Sequence, residues 1–203
     1  MTHMIETHVI ERLGHRGEGV AGGVFVARAL PGEVVEGVVE NGRIAQPRIV
    51  IPSADRVAAP CRHYKACGGC ALQHAPDDFV ARWKQDVVAR ALEAQGLSAP
   101  FRSMHTSPAQ SRRRATLSGR RLKSGALVGF HARASDALTA VPDCQLLHPT
   151  LLATLPALEE VTLAGASRKA ELALTVTAFE DGVDLSVTGG KPLDTALRVA
   201  LPQ

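Results

Sequence analysis

Aromatic side chains are scarce in this chain: one Trp, one Tyr and five Phe, 3% of 203 residues. Its core must therefore be built mainly from Val, Leu, Ala and Ile. No apolar run reaches the roughly 20 residues that a bilayer-spanning helix needs. The opening stretch, MTHMIETHVIERLGHRGEG, puts charges and histidines where a secretion signal needs an apolar segment. A cytoplasmic protein is the expectation, with no membrane partner and no obligate protein partner implied. Cysteine is limited to four residues, of which three fall between positions 61 and 70. In a reducing compartment, thiols clustered in this way point to metal or cluster ligation rather than to disulfides.

Acid is missing where base is concentrated. Residues 94–135 carry eight Lys or Arg and no Asp or Glu, in a chain whose net charge is only +3. Such a block is the electrostatic footprint of a polyanion partner. Its densest part is Arg112-Arg113-Arg114, followed by Arg120, Arg121 and Lys123. An isolated charge run is most often a solvated face. Here two features favour phosphate binding: no acid is interleaved, and the run falls on an expected hairpin, where alternate residues share a face. Guanidinium groups suit bidentate phosphate contacts. Phe130 and His131 could stack on bases, although Phe130 serves equally well as core. Arg12, His15, Arg16 and Arg28 form a second, weaker basic group.

The apolar pattern divides the chain into three. Residues 1–54 read as short strands split by Gly and Pro, with Asn41-Gly42 as a hairpin signal. A small β-barrel of the oligonucleotide-binding type is expected there. Residues 55–76 hold the first three cysteines. Residues 77–203 read as α+β, with helices against an antiparallel sheet. Within them, Phe79, Val80, Trp83, Val87, Val88, Ala91 and Leu92 recur at helical spacing over 77–95, with Asp77 as the expected cap. Strands are expected at 112–117, 126–131, 171–178 and 183–188, and a short helix at 146–158. A further helix begins at Pro192, with Leu193, Ala196, Leu197 and Ala200 on one face. It stops at Pro202-Gln203, the pattern of a truncated chain.

Cys61-x5-Cys67-x2-Cys70 sets three thiols on one loop, and Cys144 follows 74 positions later. Gly68 and Gly69 are expected to let this loop bend. Four thiolates suit a [4Fe–4S] cluster or a tetrahedral zinc ion. Structural zinc sites commonly use two short pairs, whereas this layout is three plus one remote, which favours the cluster. A redox pair at Cys67 and Cys70 would need a strand–helix setting that is absent from the pattern. Four unrelated buried cysteines would not be expected to place three of their number within ten residues.

Three motifs together resemble the RNA uracil-5 methyltransferase family, and most closely its ribosomal RNA branch. IERLGHRGEGVAGGVFVARALPGE, residues 10–33, resembles a TRAM domain, a small RNA-binding barrel. CRHYKACGGCALQH, residues 61–74, with Cys144, matches the family's four-cysteine [4Fe–4S] pattern. SRRRATL…GFHARASDALTAVPDCQLLHP, residues 111–149, resembles the family's central domain. The resemblance implies a 23S ribosomal RNA substrate and S-adenosylmethionine as methyl donor. It also implies a cysteine thiolate that adds to the uracil ring, and a target base taken out of its stack. The glycine-rich loop of a methyl-donor domain is missing. No cysteine is left over as nucleophile. The expectation is therefore the RNA-binding and iron–sulfur half of such an enzyme, inactive alone, with Cys61, Cys67, Cys70 and Cys144 as ligands and no catalytic residue. The alternative is a free-standing iron–sulfur or zinc RNA-binding module without chemistry.

Overall fold

The computed structural model describes residues 4–192 and 194–200. The chain forms two compact units that alternate along the sequence. The first comprises residues up to Pro60 and Cys70–Thr106; the second comprises Cys61–Gly69 and residues from Ser107 onward.

The first unit is strand-rich, as the Gly- and Pro-punctuated sequence implies. β1 (Ile5–Val9), β5 (Val34–Val38) and β7 (Arg48–Ile51) form an antiparallel sheet in the order β1-β5-β7. A second sheet joins β2 (Arg12–Leu13), β3 (Gly19–Ala21), β4 (Val24–Val26) and β6 (Arg43–Ile44). The expected closed barrel does not form among the described residues: these are two separate sheets. The strands of the second are only two or three residues long, and its last pair, β4 with β6, is parallel. Register also shifts between Val34 and Val35, breaking the β5–β7 ladder. The Asn41-Gly42 turn does form, with both residues at positive φ and Glu40 paired to Arg43. The hairpin goes no further, because Arg43–Ile44 turn to Phe25–Val26 instead. Gly37 makes room for this: a Cβ there would lie 2.3 Å from Ile44 Cγ2. Ile10, Ala21, Val26, Ala29, Val35 and Ile44 fill the resulting core.

α1 (Asp77–Glu93) belongs to this first unit, although sequence order groups it with the strands that follow. Phe79, Val80 and Trp83 pack on Leu13, Leu30, Leu72 and Ala75. The expected Asp77 cap is not seen. Pro76 occupies the cap position, without a side-chain hydrogen bond, and Asp77 and Asp78 place negative charge in the first turn instead.

The second unit is one antiparallel sheet covered by helices. β8 (Arg114–Arg121), β9 (Ala126–His131), β10 (Leu138–Ala140), β11 (Leu172–Ala178) and β12 (Val183–Thr188) run in the order β10-β9-β8-β11-β12. Alternation places Ala115, Leu117, Leu172, Leu174 and Val176 inward, against Leu158 and Val161 of α3 (Leu155–Gly165). α2 (Pro149–Ala153) precedes α3, so the single short helix expected at 146–158 is two. Pro156 supplies no N–H to continue a helix through Thr154. α4 (Thr195–Ala200) follows β12. The apolar face expected on it rests on side chains outside the described residues. Among the described residues no helix is long and apolar enough to cross a membrane.

Candidate thiol site and nucleic-acid interface

The loop carrying Cys61 and Cys67 is built from two tight turns. The Tyr64 N–H donates to the Cys61 carbonyl at 3.1 Å, and the Cys67 N–H donates to the His63 carbonyl at 2.7 Å. Gly68 then docks on the end of β9, its N–H donating to the His131 carbonyl at 2.9 Å. A Cβ on Gly68 would lie 2.6 Å from that same oxygen. The glycine is thus required for close approach of two backbones, not for a positive φ. From the other side comes the turn after β10, where the Cys144 N–H donates to the Val141 carbonyl at 3.2 Å. Asp143 pairs with Arg62 at 2.8 Å and with His63, tying this turn to the loop. The His63 hydrogen bond, with the Arg62 charge, holds the Asp143 carboxyl below its ordinary range.

Cys61 and Cys144 are buried and Cys67 is half-buried. None is in a disulfide. Burial pushes the Cys67 thiol above its ordinary range. The Gly69 N–H, donated to its Sγ at 3.3 Å, acts against that rise, and the neighbouring Cys144 and Cys61 thiols add to it. Cys61 and Cys144 therefore both lie within electrostatic reach of Cys67. Cys144 Sγ likewise accepts the Leu146 N–H at 3.4 Å. Cys70 follows Cys67 by three residues, a length of chain that spans at most about 11 Å. Among the described residues no three His, Cys, Asp or Glu side chains are grouped so as to hold a metal ion.

The basic residues separate into two kinds. Arg113 Nε donates to the Ala178 carbonyl at 3.3 Å, and Arg121 donates to the Leu163 carbonyl at 3.0 Å. Arg120 binds Glu171 and donates to the Asp136 carbonyl at 2.6 Å. These three side chains hold the fold together. Arg112, Arg114 and Lys123 are exposed, as is Arg113. Arg112 uses its backbone to bridge Leu147, and Arg114 opens β8 on the face away from the helices. That open face continues along β8 and β11 through Thr116, Ser118, Thr175 and Thr177, with the Thr116 and Thr175 hydroxyls 2.8 Å apart. A concavity of about 260 Å³ lies on it, lined by Gly68, Gly69, Thr116, Ser118, Phe130 and His131. Phe130 also packs on the core, while His131 Nε2 faces Glu171 at 2.9 Å. Sequence reasoning missed Asp143 and Glu171. Each is a lone acid, without a local pattern, whose partners fold in from afar.

No family model matches the chain. The curated relatives nevertheless agree. An uncharacterized RNA methyltransferase of Brucella suis is 34% identical over 196 residues, covering 95% of this chain and 47% of the relative. A 23S rRNA (uracil(1939)-C(5))-methyltransferase of Halomonas elongata is 39% identical over 165 residues, covering 75% of this chain and 34% of its own length. The chain is similar to RNA methyltransferases. It spans about half the length of the first of these relatives. Its fold is shared with the Pyrococcus abyssi tRNA (uracil-54, C5)-methyltransferase, solved with S-adenosyl-L-homocysteine, at a TM-score of 0.65 and 19% identity. That match covers 97% of this chain and 49% of the other.

Proposed function

We propose that this chain is the RNA-recognition part of an S-adenosylmethionine-dependent uracil-C5 methyltransferase acting on 23S ribosomal RNA. The observation that carries this reading is similarity to RNA methyltransferases over 95% of the chain. Residues 1–54 are its TRAM-like RNA-binding part, and residues 77–203 its central recognition part. The methyl donor supplies the methyl group in the relatives' chemistry. The residues here bind and orient RNA, and no catalytic residue is assigned among them.

Cys61, Cys67, Cys70 and Cys144 are proposed as the ligands of a [4Fe–4S] cluster. The donor chemistry fits: four thiols outside any disulfide, with N–H groups donated to two of the sulfurs. Hydrogen bonds of this kind tune cluster thiolates. A single tetrahedral zinc would draw its sulfurs to within about 4 Å of one another, whereas a cluster accepts them farther apart. The group would offset the burial cost of the Cys67 thiolate and the smaller repulsion from Cys144 and Cys61. Its role here is structural, clamping the loop at 61–70 to the turn at 144.

RNA contact is assigned to the exposed basic residues Arg112, Arg114 and Lys123 beside the hydroxyl-lined sheet face. Arg113, Arg120 and Arg121 belong to the same basic group, with their side chains held by hydrogen bonds to Ala178, Asp136 and Leu163. The test is binding of a 23S ribosomal RNA fragment across a salt series. Arg112→Glu with Arg114→Glu should weaken binding at low salt about tenfold or more and flatten the dependence on salt. An unchanged salt slope would remove this hairpin from the interface.

A further inference from the structure

The last stretch of the first unit, after α1, is an exposed segment without regular structure. Gly96 stops the helix. It takes a positive φ and donates its N–H to the Glu93 carbonyl at 2.9 Å, while the Leu97 N–H donates to the Leu92 carbonyl at 3.0 Å. From 97 to 108 the chain forms neither helix nor strand, and every residue is exposed. Residues 98–107 make no hydrogen bond or ion pair with any described residue. Pro100 and Pro108 fix their own φ and bias Ala99 and Ser107 towards extended backbone. Local chemistry, not pairing with the fold, keeps this segment extended.

Three observations say what the segment would take. First, it shows apolar side chains to solvent: Leu97 is 58% exposed, Phe101 44% and Met104 42%. One exposed apolar side chain needs no explanation, but three within one short unpaired segment mark a contact surface. Second, cations are interleaved with them and no acid is. Arg102 and His105 are exposed and unpaired among the described residues, and residues 94–135 contain no Asp or Glu. An apolar partner has no use for that uncompensated charge, whereas a polyanion does. Third, Phe101 and Arg102 are neighbours on extended backbone whose N–H and C=O groups are open to solvent. An exposed ring beside a free guanidinium suits a single nucleic-acid strand, with the ring for an unstacked base and the guanidinium for phosphate.

We infer that residues 97–105 are a contact segment for single-stranded RNA, with Phe101 stacking on a base and Arg102 and His105 at the phosphates. The inference rests on the RNA-binding reading above but assigns residues outside the basic hairpin. The 203-residue chain is titrated with a labelled oligouridylate, following anisotropy across a salt series. Phe101 and Arg102 make no hydrogen bond to the fold, so their variants should keep the parental thermal midpoint, and lost binding is then not unfolding. Phe101→Leu, which stays apolar and loses the ring, should weaken binding several-fold. Phe101→Trp should keep parental affinity, with its added emission changing in step with anisotropy. Arg102→Ala should lower the slope of log affinity against log salt by roughly 0.7. Affinity for duplex RNA, whose bases are already stacked, should be unchanged in Phe101→Leu. An equal loss on duplex would overturn base stacking. Parental affinity in Phe101→Leu with the parental slope in Arg102→Ala would overturn the segment and leave RNA binding in place. No binding by the parent at any concentration would overturn both. A parental dimer in sedimentation that Phe101→Ala breaks without changing RNA affinity would make the segment a contact between two copies, and overturn its assignment to RNA.

Discussion

The most constrained side chain in the first unit is Glu33, which is fully buried. It accepts from the Arg56 guanidinium at 2.7 Å, from the Leu30 N–H at 2.8 Å and from the Ser53 N–H at 3.1 Å. Burial alone would raise its carboxyl, but the Arg56 hydrogen bond, these N–H groups and the Arg56 charge together bring it below 4.5. His74 is buried close by, and burial, with the charges of Arg56 and Arg28, drives it from 6.5 down to about 4, Glu33 acting in the opposite sense. Both groups make the unit acid-sensitive. His74 is held neutral, so its contribution is complete above pH 6.5 and is withdrawn as pH falls towards about 4. Glu33 is held charged, so its contribution is lost only on further acidification. Denaturant midpoints measured down the pH scale should therefore fall first between 6.5 and 4, and His74→Asn should flatten that first fall. A parental pH profile in the variant would refute the assignment. Arg56→Met should cost about 3–5 kcal/mol at neutral pH, because it strands a buried carboxylate. A loss under about 1 kcal/mol in urea unfolding would show that the carboxylate finds water. None of this was legible beforehand. Glu33 and Arg56 lie 23 residues apart and belong to no motif.

Elements were legible where periodicity and turn chemistry speak for themselves. The strands at 126–131 and 183–188, the helix from 77 and the Asn41-Gly42 turn all form. Partners were less so. A period-2 or period-3.6 stripe says which face is apolar, not what will cover it. α1 illustrates this, since its Phe79–Trp83 stripe packs on Leu13 and Leu30, far earlier in sequence. The open first unit has a similar cause. Strand signals cannot tell a closed barrel from two sheets, because they do not say which edge strands will pair. Glycines carry the missing information, through the space they leave. Gly119 lies in β8 under α3, where a Cβ would be 2.3 Å from Thr162 Oγ1. The Thr162 hydroxyl already donates to the Leu158 carbonyl at 2.7 Å, so it has little freedom to move aside. Gly119→Ala should destabilise the second unit by about 1–3 kcal/mol. Thr162→Ala in the same chain should recover part of it, by removing the obstructing hydroxyl. A second change that adds its own loss would place the strain elsewhere.

At the scale of the whole molecule, the sequence pattern groups the four cysteines as one expected site, yet it gives no hint that the chain alternates between units. The segment 61–69 folds with the residues from Ser107 onward, while the stretch between them returns to the first unit. What holds that short segment to the turn at Cys144 is modest. The Asp143 pairs with Arg62 and His63 are partly exposed, and exposed ion pairs contribute little. The backbone contact of Gly68 with His131 adds one hydrogen bond. A cluster bound across Cys61, Cys67 and Cys144 would close a loop of more than 80 residues, and a closure of that length restricts the unfolded chain by about 4–5 kcal/mol. Two variants separate the contributions. Asp143→Asn should keep iron and change stability little. Cys144→Ser should lose iron and sulfide from anaerobically purified protein, and lower the thermal midpoint well below that of Asp143→Asn. About four irons and four sulfides per chain are expected in the parent. One zinc in the parent would make the bound group a zinc ion rather than a cluster. Full iron and the parental midpoint in Cys144→Ser would show that the remote cysteine is not a ligand. The loop at 61–70 would then be held by its ion pairs and backbone alone.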